Sequence, residues 1–233
     1  MGVIVFVKLI ILGPPGVGKG TYSTRLSKLL GIVKISTGDI LREEVRKGSK
    51  LGRLVEKHLK EGTLVPDDIM VRIVEKRIRK AGSKGFILDG FPRTLEQAQA
   101  LDKIVKIDAI IYLSMDEEIL IERLLRRRVR KRCGAVYNVT DIRKVVNGVE
   151  YIFPPLLSQR RRICDLCGGP LVRREDDEPE VIRRRLKIYK RLSKPIINYY
   201  KTRGVPFIEI CVNREPSIIV DRIVYRLKEL NLI

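Results

Sequence analysis

The chain has 233 residues, enough for one α/β domain with inserted segments and a full hydrophobic core, which excludes a small fold held together by disulfides. Charged residues make up 33%, against about 25% in an average domain, and there is no Trp, a balance that leans toward a thermophilic source. A formal net charge of +20 calls for an anionic partner, and the stretch from Ile121 to Arg174 carries 14 basic and 4 acidic residues, so half of the excess sits in one region and not in a disordered tail.

The apolar run from Val3 to Leu12 is interrupted by Lys8 and leads straight into a glycine-rich turn, so it reads as a strand and neither as a signal peptide nor as a membrane span. A cytoplasmic protein without membrane contact is expected. The turn is Gly13-Pro-Pro-Gly-Val-Gly-Lys-Gly-Thr21. Its spacing from Gly13 through Gly18 to Lys19 fits a P-loop, in which backbone N–H groups around Gly16, Val17 and Gly18 cradle phosphates and the lysine reaches the outer ones. The helix that follows turns its positive end to the same anion. Gly20 stands where most P-loops carry the hydroxyl that holds magnesium, and the hydroxyl comes one step later at Thr21.

Tyr22, Leu26, Leu29 and Leu30 are spaced by threes and fours, which predicts an amphipathic helix that Gly31 can end. Ser36 or Thr37 can cap a second helix carrying Arg42, and a third short helix follows Gly48 through Leu59. Gly62-Thr-Leu-Val-Pro-Asp67 turns into a further helix with Pro66 at its start. Helix follows helix here without a strand between, so residues 36–65 read as a helical insertion.

Phe86-Ile-Leu-Asp-Gly90 is a short buried strand ending in a carboxylate, and Asp89 beside a P-loop can hold Mg²⁺ through water. Phe91 to Gln97 opens another helix; Ile107–Leu113 and Phe207–Val212 are further strands, and Pro216–Leu230 is an amphipathic helix. Strands alternating with helices, with a P-loop after the first, predict an α/β fold, a P-loop NTPase-type doubly wound parallel sheet with a helical insertion. The expected division is a core of residues 1–35, 66–128 and 173–233, a helical insertion over 36–65, and a second inserted segment over 129–172.

In order along the chain, Gly13 to Thr21, Ser36-Thr-Gly-Asp39 with Arg42, Gly62 to Asp67, Asp89-Gly-Phe-Pro-Arg93, Arg127-Arg128 and Arg174-Glu-Asp-Asp177 resemble the signatures of adenylate kinase over essentially the whole chain. The resemblance implies transfer of the γ-phosphoryl of MgATP to AMP, giving two ADP, and makes 36–65 a nucleoside-monophosphate-binding insertion and 129–172 a small β-rich lid. It places Thr37, the backbone near Leu64 and Val65, and Gln97 around the AMP adenine, with Arg42 and Arg93 on its phosphate and Gly90, Arg174 and Arg185 beside it. Lys19, Gly20 and Thr21 with the rest of the loop take the ATP phosphates, and Arg123 lies against the ATP adenine. Arg127, Arg174 and Arg185 surround the transferred group, Asp89 orders Mg²⁺, and Asp176 and Asp177 lie near the lid hinge. Lys19, Arg93, Arg127, Arg174 and Arg185 are thus the implied catalytic set.

The chemistry agrees without the family. Phosphoryl transfer depends on positioning and on neutralising the equatorial oxygens, so arginines are the groups to look for. A phosphate acceptor is already anionic, so no general base is needed. The only histidine, His58, has no partner motif and reads as a surface or packing residue. Arg123 and Arg127 are four apart and are expected on one helix face. Arg126, Arg128, Arg130 and Arg160 to Arg162 read as solvated or steering charges.

Cys164-Asp-Leu-Cys167-Gly-Gly reads as half of a zinc ribbon, with Cys133-Gly as part of the other half. Arg130 stands where the zinc-lid branch of the family has its first cysteine. Zinc on Cys133, Cys164 and Cys167 with a fourth donor from elsewhere, and a disulfide or reduced thiols, are both open readings. Cys211 lies in an apolar strand and reads as a packed core residue. The segment Asp141–Tyr151 holds a Val-Val-Asn-Gly-Val hairpin signal with a type I′ turn and reads as an added flap enlarging the lid.

ATP and AMP are the expected partners, with no specific nucleic acid and a monomer as the expected state. The alternatives are a kinase for UMP, CMP or GMP, and an RNA-binding protein with a nucleotide-binding core. Gln97, Thr37 and the long lid favour the adenylate pattern over the first. Tyr137, Tyr151 and Phe153 are too few among the basic residues for the stacking platform of the second.

Overall fold

The computed structural model describes residues 6–233, so the first three residues of the apolar run that begins at Val3 lie outside the described residues. Five parallel strands form the central sheet in the order β2-β3-β1-β4-β9. They are β1 (Lys8–Leu12), β2 (Val33–Ser36), β3 (Phe86–Asp89), β4 (Ala109–Ser114) and β9 (Phe207–Cys211). Leu9 to Leu12 are all buried, Leu9 and Ile11 facing one core and Ile10 and Leu12 the other. This is the period of two of a strand covered on both sides, and each such side chain contributes about 1.5–3 kcal/mol.

Strand β1 is central, its neighbours β3 and β4 reached by connections on opposite sides, so the turn after Leu12 lies at the point where the strand order reverses. Helix α1 (Lys19–Leu30) starts there and ends at Gly31 in the left-handed conformation, as its sequence predicts. Tyr22, Leu26 and Leu30 are buried, whereas Leu29 points outward at 61% exposure, because the buried stripe runs through Ser23 instead.

Two helices, α2 (Thr37–Arg46) and α3 (Lys50–Glu61), pack on one another, and Ser36 caps α2 by accepting from Asp39 N. Strand β2, immediately before α2, is absent from the sequence reading: four residues containing a lysine give too short an alternation to register. Helix α4 (Asp67–Ala81) follows with Pro66 at its N-cap, then β3, α5 (Leu95–Asp102) capped by Thr94, β4 and α6 (Glu117–Leu125). The long helix α7 (Pro179–Thr202) returns the chain to the sheet, where Ile196 and Tyr200 are buried, and α8 (Pro216–Glu229) closes the core.

Two small sheets lie between α6 and α7. Strands β5 (Arg127–Val129) and β6 (Val136–Asn138) pair antiparallel, as do β7 (Ile142–Val146) and β8 (Val149–Phe153). The second pair is the expected hairpin, with Asn147 at φ 49° and Gly148 at φ 77° as a type I′ turn requires. Ile142, Tyr151 and Phe153 join the core cluster on the α1 and α8 side of the sheet, because the outward edge of that core needs covering.

Cys211, expected in the core, is exposed instead: β9 is an edge strand and its last residue turns away from the sheet's apolar face. Among the described residues no helix is long and apolar enough to cross a membrane.

Candidate active site

The phosphate loop gives the cleft its floor. Lys19 Nζ donates to the carbonyls of Gly13 (2.6 Å) and Pro14 (2.8 Å), so the lysine curls back along the loop. Burial lowers its pKa to about 7 against the opposing pull of Asp89, with Arg93, Arg185 and Arg127 lowering it further. Gly18 has φ 104°, and a Cβ there would meet the Tyr22 ring at 2.8 Å, so only glycine suits the turn. At Gly20 an added Cβ would lie 3.5 Å from Asp89 Oδ2, ordinary contact. The space between loop and carboxylate is therefore there because no side chain fills it.

Asp89 ends β3, as expected, and is buried, its Oδ2 accepting from Ser23 Oγ (3.2 Å). The next residue, Gly90, has φ 81°, and a Cβ would press on Thr37 Oγ1 (2.9 Å) and Arg93 Nη2 (3.0 Å). Thr37 Oγ1 donates to Gly90 O, and Arg93 Nε donates to the same carbonyl (2.8 Å), which aims the Arg93 guanidinium inward.

Above the loop stands the arginine cluster. Arg185, on α7, donates through Nη1 to Asp176 Oδ2 (2.9 Å), and Arg174 Nε lies 3.7 Å from Asp176 Oδ1. Arg127 clamps the fully buried Asp177 through Nε (2.8 Å) and Nη2 (2.5 Å). Burial lowers Arg93 to about 10 and Arg174 to about 9, and neighbouring guanidinium groups push the same way. For Asp176, burial alone would raise the carboxyl, but Arg185 and Arg174 bring it down to about 2. A site with this excess of cation is suited to a polyanion.

Arg123 and Arg127, expected on one helix face, are not. Helix α6 ends at Leu125, and Arg127 opens β5, where pairing with Asn138 of β6 draws the backbone into a strand. Both arginines nevertheless line the same cleft of about 1320 Å³, with Lys19, Asp89, Arg93 and Arg185. Gly16, Gly18, Gly20, Thr21, Arg42 and Leu64 also line it, as do Gly90 and Arg174. Val17, Thr37, Val65 and Gln97 are buried behind its wall. The Gln97 amide is engaged within the protein, accepting from Arg93 N (2.8 Å) and donating to Asp67 Oδ1 (2.6 Å).

Several residues that sequence reasoning did not single out also shape the cleft. Lys34 on β2 donates to Thr24 Oγ1 (3.0 Å) and to Asp39 Oδ2 (3.1 Å), while Asp39 Oδ1 accepts from Arg42 (2.6 Å). Asn138 donates to Arg123 O (2.9 Å), and the Phe153 ring lies 4.1 Å beneath the Arg123 guanidinium. Arg46 of α2 donates to the carbonyls of Lys131 and Arg132, so α2 and the loop between β5 and β6 touch across the cleft. Apart from the Asp39–Arg42 pair within α2, these contacts join different elements of the fold, and no short motif announces them.

A family model described as adenylate kinase matches residues 11–205. The chain belongs to the adenylate kinase family. It is 45% identical over 201 residues to the adenylate kinase of Thermosipho melanesiensis, covering 84% of this chain and 87% of that one. The adenylate kinase of Archaeoglobus fulgidus is 43% identical over 205 residues, 85% of this chain and 88% of the relative, and that of Caldicellulosiruptor bescii 43% over 205 residues, 85% and 89%.

In this chain Cys133, Cys164 and Cys167 come together. Cys133 Sγ is 3.5 Å from both Cys164 Sγ and Cys167 Sγ, and no fourth carboxylate, imidazole or thiolate joins them among the described residues. Arg130 fills the remaining corner, its Nε 3.4 Å from Cys167 Sγ, and lowers that thiol to about 7. Burial raises Cys133 instead.

Proposed function

We infer that this cleft transfers the γ-phosphoryl group of MgATP to AMP, giving two ADP. The observation that carries the reading is the convergence of Arg42, Arg93, Arg127, Arg174 and Arg185 with Lys19 on one cleft beside a phosphate loop, where no histidine lines the cleft among the described residues. The acceptor phosphate needs none, because it is already anionic.

Donor phosphates lie along the loop from Gly16 to Thr21, and Lys19, once charged by their presence, leaves the Gly13 and Pro14 carbonyls to hold them. Arg42 and Arg93 hold the acceptor phosphate from the insertion side. Arg127, Arg174 and Arg185 spread over the transferred group, where charge moves between donor and acceptor oxygens, and stabilise it in place. Contact between lid and insertion excludes water, which would otherwise take the phosphoryl group.

Asp89, and the space that Gly20 leaves beside it, fit a hydrated magnesium ion accompanying ATP. The ion supplies neutralisation of the phosphate oxygens. Thr37, Leu64, Val65 and Gln97 serve the AMP adenine, Gln97 by exchanging Asp67 for the base, and Arg123 stacks on the ATP adenine.

The same reading divides the chain into a core of 1–35, 66–128 and 173–233, an acceptor insertion of 36–65 and a lid of 129–172, with the β7–β8 hairpin riding on the core. Cys133, Cys164 and Cys167 would hold a zinc ion that braces the lid, three converging thiolates needing a water to complete a four-coordinate set.

The test is disproportionation. Given ADP and Mg²⁺ alone, the protein forms ATP and AMP in equal amounts. Formation of AMP with free phosphate, or no reaction, would contradict the assignment.

A further inference from the structure

The hairpin β7–β8 is the one sequence feature that the reaction above does not use. Its place in the fold is specific. Tyr151 Oη accepts from Asp116 N (3.1 Å) and Asn147 Nδ2 donates to Asp116 Oδ2 (2.6 Å), so the hairpin grips the N-terminus of α6. Lys144 Nζ adds Glu118 (3.2 Å) in the first turn of the same helix and Glu122 (2.8 Å) in the next. On its other edge Ile152 N donates to Asn213 O (3.0 Å), and Arg214 holds Glu150 (2.6 Å), which fixes the loop between β9 and α8.

These anchors end at Phe153. Its ring is buried against Tyr151 and supports one face of the Arg123 guanidinium. Arg123 Nε is buried without a hydrogen-bond partner, and no carboxylate pairs with this guanidinium among the described residues. A cation left unpaired, backed on one side by an aromatic ring and bordering the cleft on the other, is held flat as a stacking surface. Ile142, Phe153 and Pro216 line the cleft at this end, so the hairpin and the loop it fixes form a wall there.

We propose that the β7–β8 hairpin is the fixed wall of the donor-base pocket and that Phe153 is a positioning residue, acting through Arg123 to present a flat guanidinium to the ATP base. The proposal rests on the reading of Arg123 as the ATP-adenine platform. The wall belongs to the core, so the base stays seated while the lid segments on either side of the hairpin move.

The experiment measures KM for ATP and for AMP, with kcat and a thermal melt, in Phe153→Leu, Phe153→Tyr, Lys144→Glu and Arg123→Ala. Phe153→Leu raises KM for ATP about tenfold, leaves KM for AMP and kcat at saturating ATP unchanged, and Phe153→Tyr restores it. Lys144→Glu, a surface change that repels Glu118 and Glu122, moves KM for ATP in the same direction by a few-fold. The effect of Phe153→Leu disappears in the Arg123→Ala background. Equal changes in both KM values, or a Phe153→Leu effect that persists without Arg123, would overturn the proposal while leaving the platform intact. If Arg123→Ala itself leaves KM for ATP unchanged, the platform reading fails and the proposal with it.

Discussion

Arg127 and Asp177 join the two ends of the segment between α6 and α7: the first residue of β5 holds with two hydrogen bonds a fully buried carboxylate in the 3₁₀ turn Glu175–Asp177, just before α7. Arg173 Nη2 closes the same corner by donating to Asp177 O (2.6 Å). A guanidinium gripped in this way has its orientation set before any phosphate arrives. Asp177→Ala would leave a mostly buried cation unpaired, and a loss of about 3–5 kcal/mol in urea unfolding is expected. Asp176, whose partners Arg174 and Arg185 can turn to phosphate instead, should cost less when replaced by alanine. Equal losses would mean that Asp177 has no special role at the hinge.

Lys19 gives the pH dependence. Its pKa in the folded protein is lowered from 10.5 to about 7, so between these values the unfolded chain binds more protons. The contribution of this lysine is therefore unfavourable below pH 7 and is relieved as pH rises toward 10.5, so it makes stability rise with pH across that window. Donor phosphates reverse the preference and recharge the amine. Calorimetry at pH 8 in two buffers of different ionisation enthalpy should show ATP binding coupled to proton uptake, and Lys19→Met should remove that coupling along with activity. Uptake of the same size in the variant would place the proton elsewhere.

Lys34 divides the Asp39 carboxylate with Arg42 and ties it to α1 through Thr24. Without Lys34, Asp39 would keep Arg42 to itself and compete more strongly with the acceptor phosphate. Lys34→Met should raise KM for AMP several-fold with KM for ATP unchanged, and the effect should vanish when Asp39→Asn is added. A persistent effect in the double variant would show that Lys34 acts by another route.

The lid trio predicts about one zinc per chain by metal analysis, with only Cys211 of the four cysteines reacting readily in the native protein. Chelation should expose the other three and lower the melting temperature. Arg130→Cys, which completes a four-thiolate set, should slow zinc loss to the chelator. A metal-free protein with a disulfide among these residues would rule out the zinc brace.

Much of this was legible in the sequence wherever a local rule governed. The phosphate loop, the Ser36 cap, the strand ending in Asp89 and the Asn147-Gly148 turn each carry their geometry within a few residues. What failed depended on partners far along the chain. Arg127 left its helix because Asn138 offers a strand to pair with, and Cys211 is exposed because β9 has no neighbour beyond it. The Val-Val-Asn-Gly-Val pattern announces the hairpin, but nothing within Asp141–Tyr151 names Asp116 and Asn213 as its anchors.

Under the proposed reaction, phosphoryl passes from MgATP to adenosine monophosphate across the arginine cluster. The direct measurement is initial rate with MgATP and AMP, CMP, UMP or GMP as sole acceptor, following ADP and the second diphosphate separately. AMP should give by far the highest rate, with two ADP for each ATP consumed. A faster rate with UMP or another acceptor than with AMP would contradict the account.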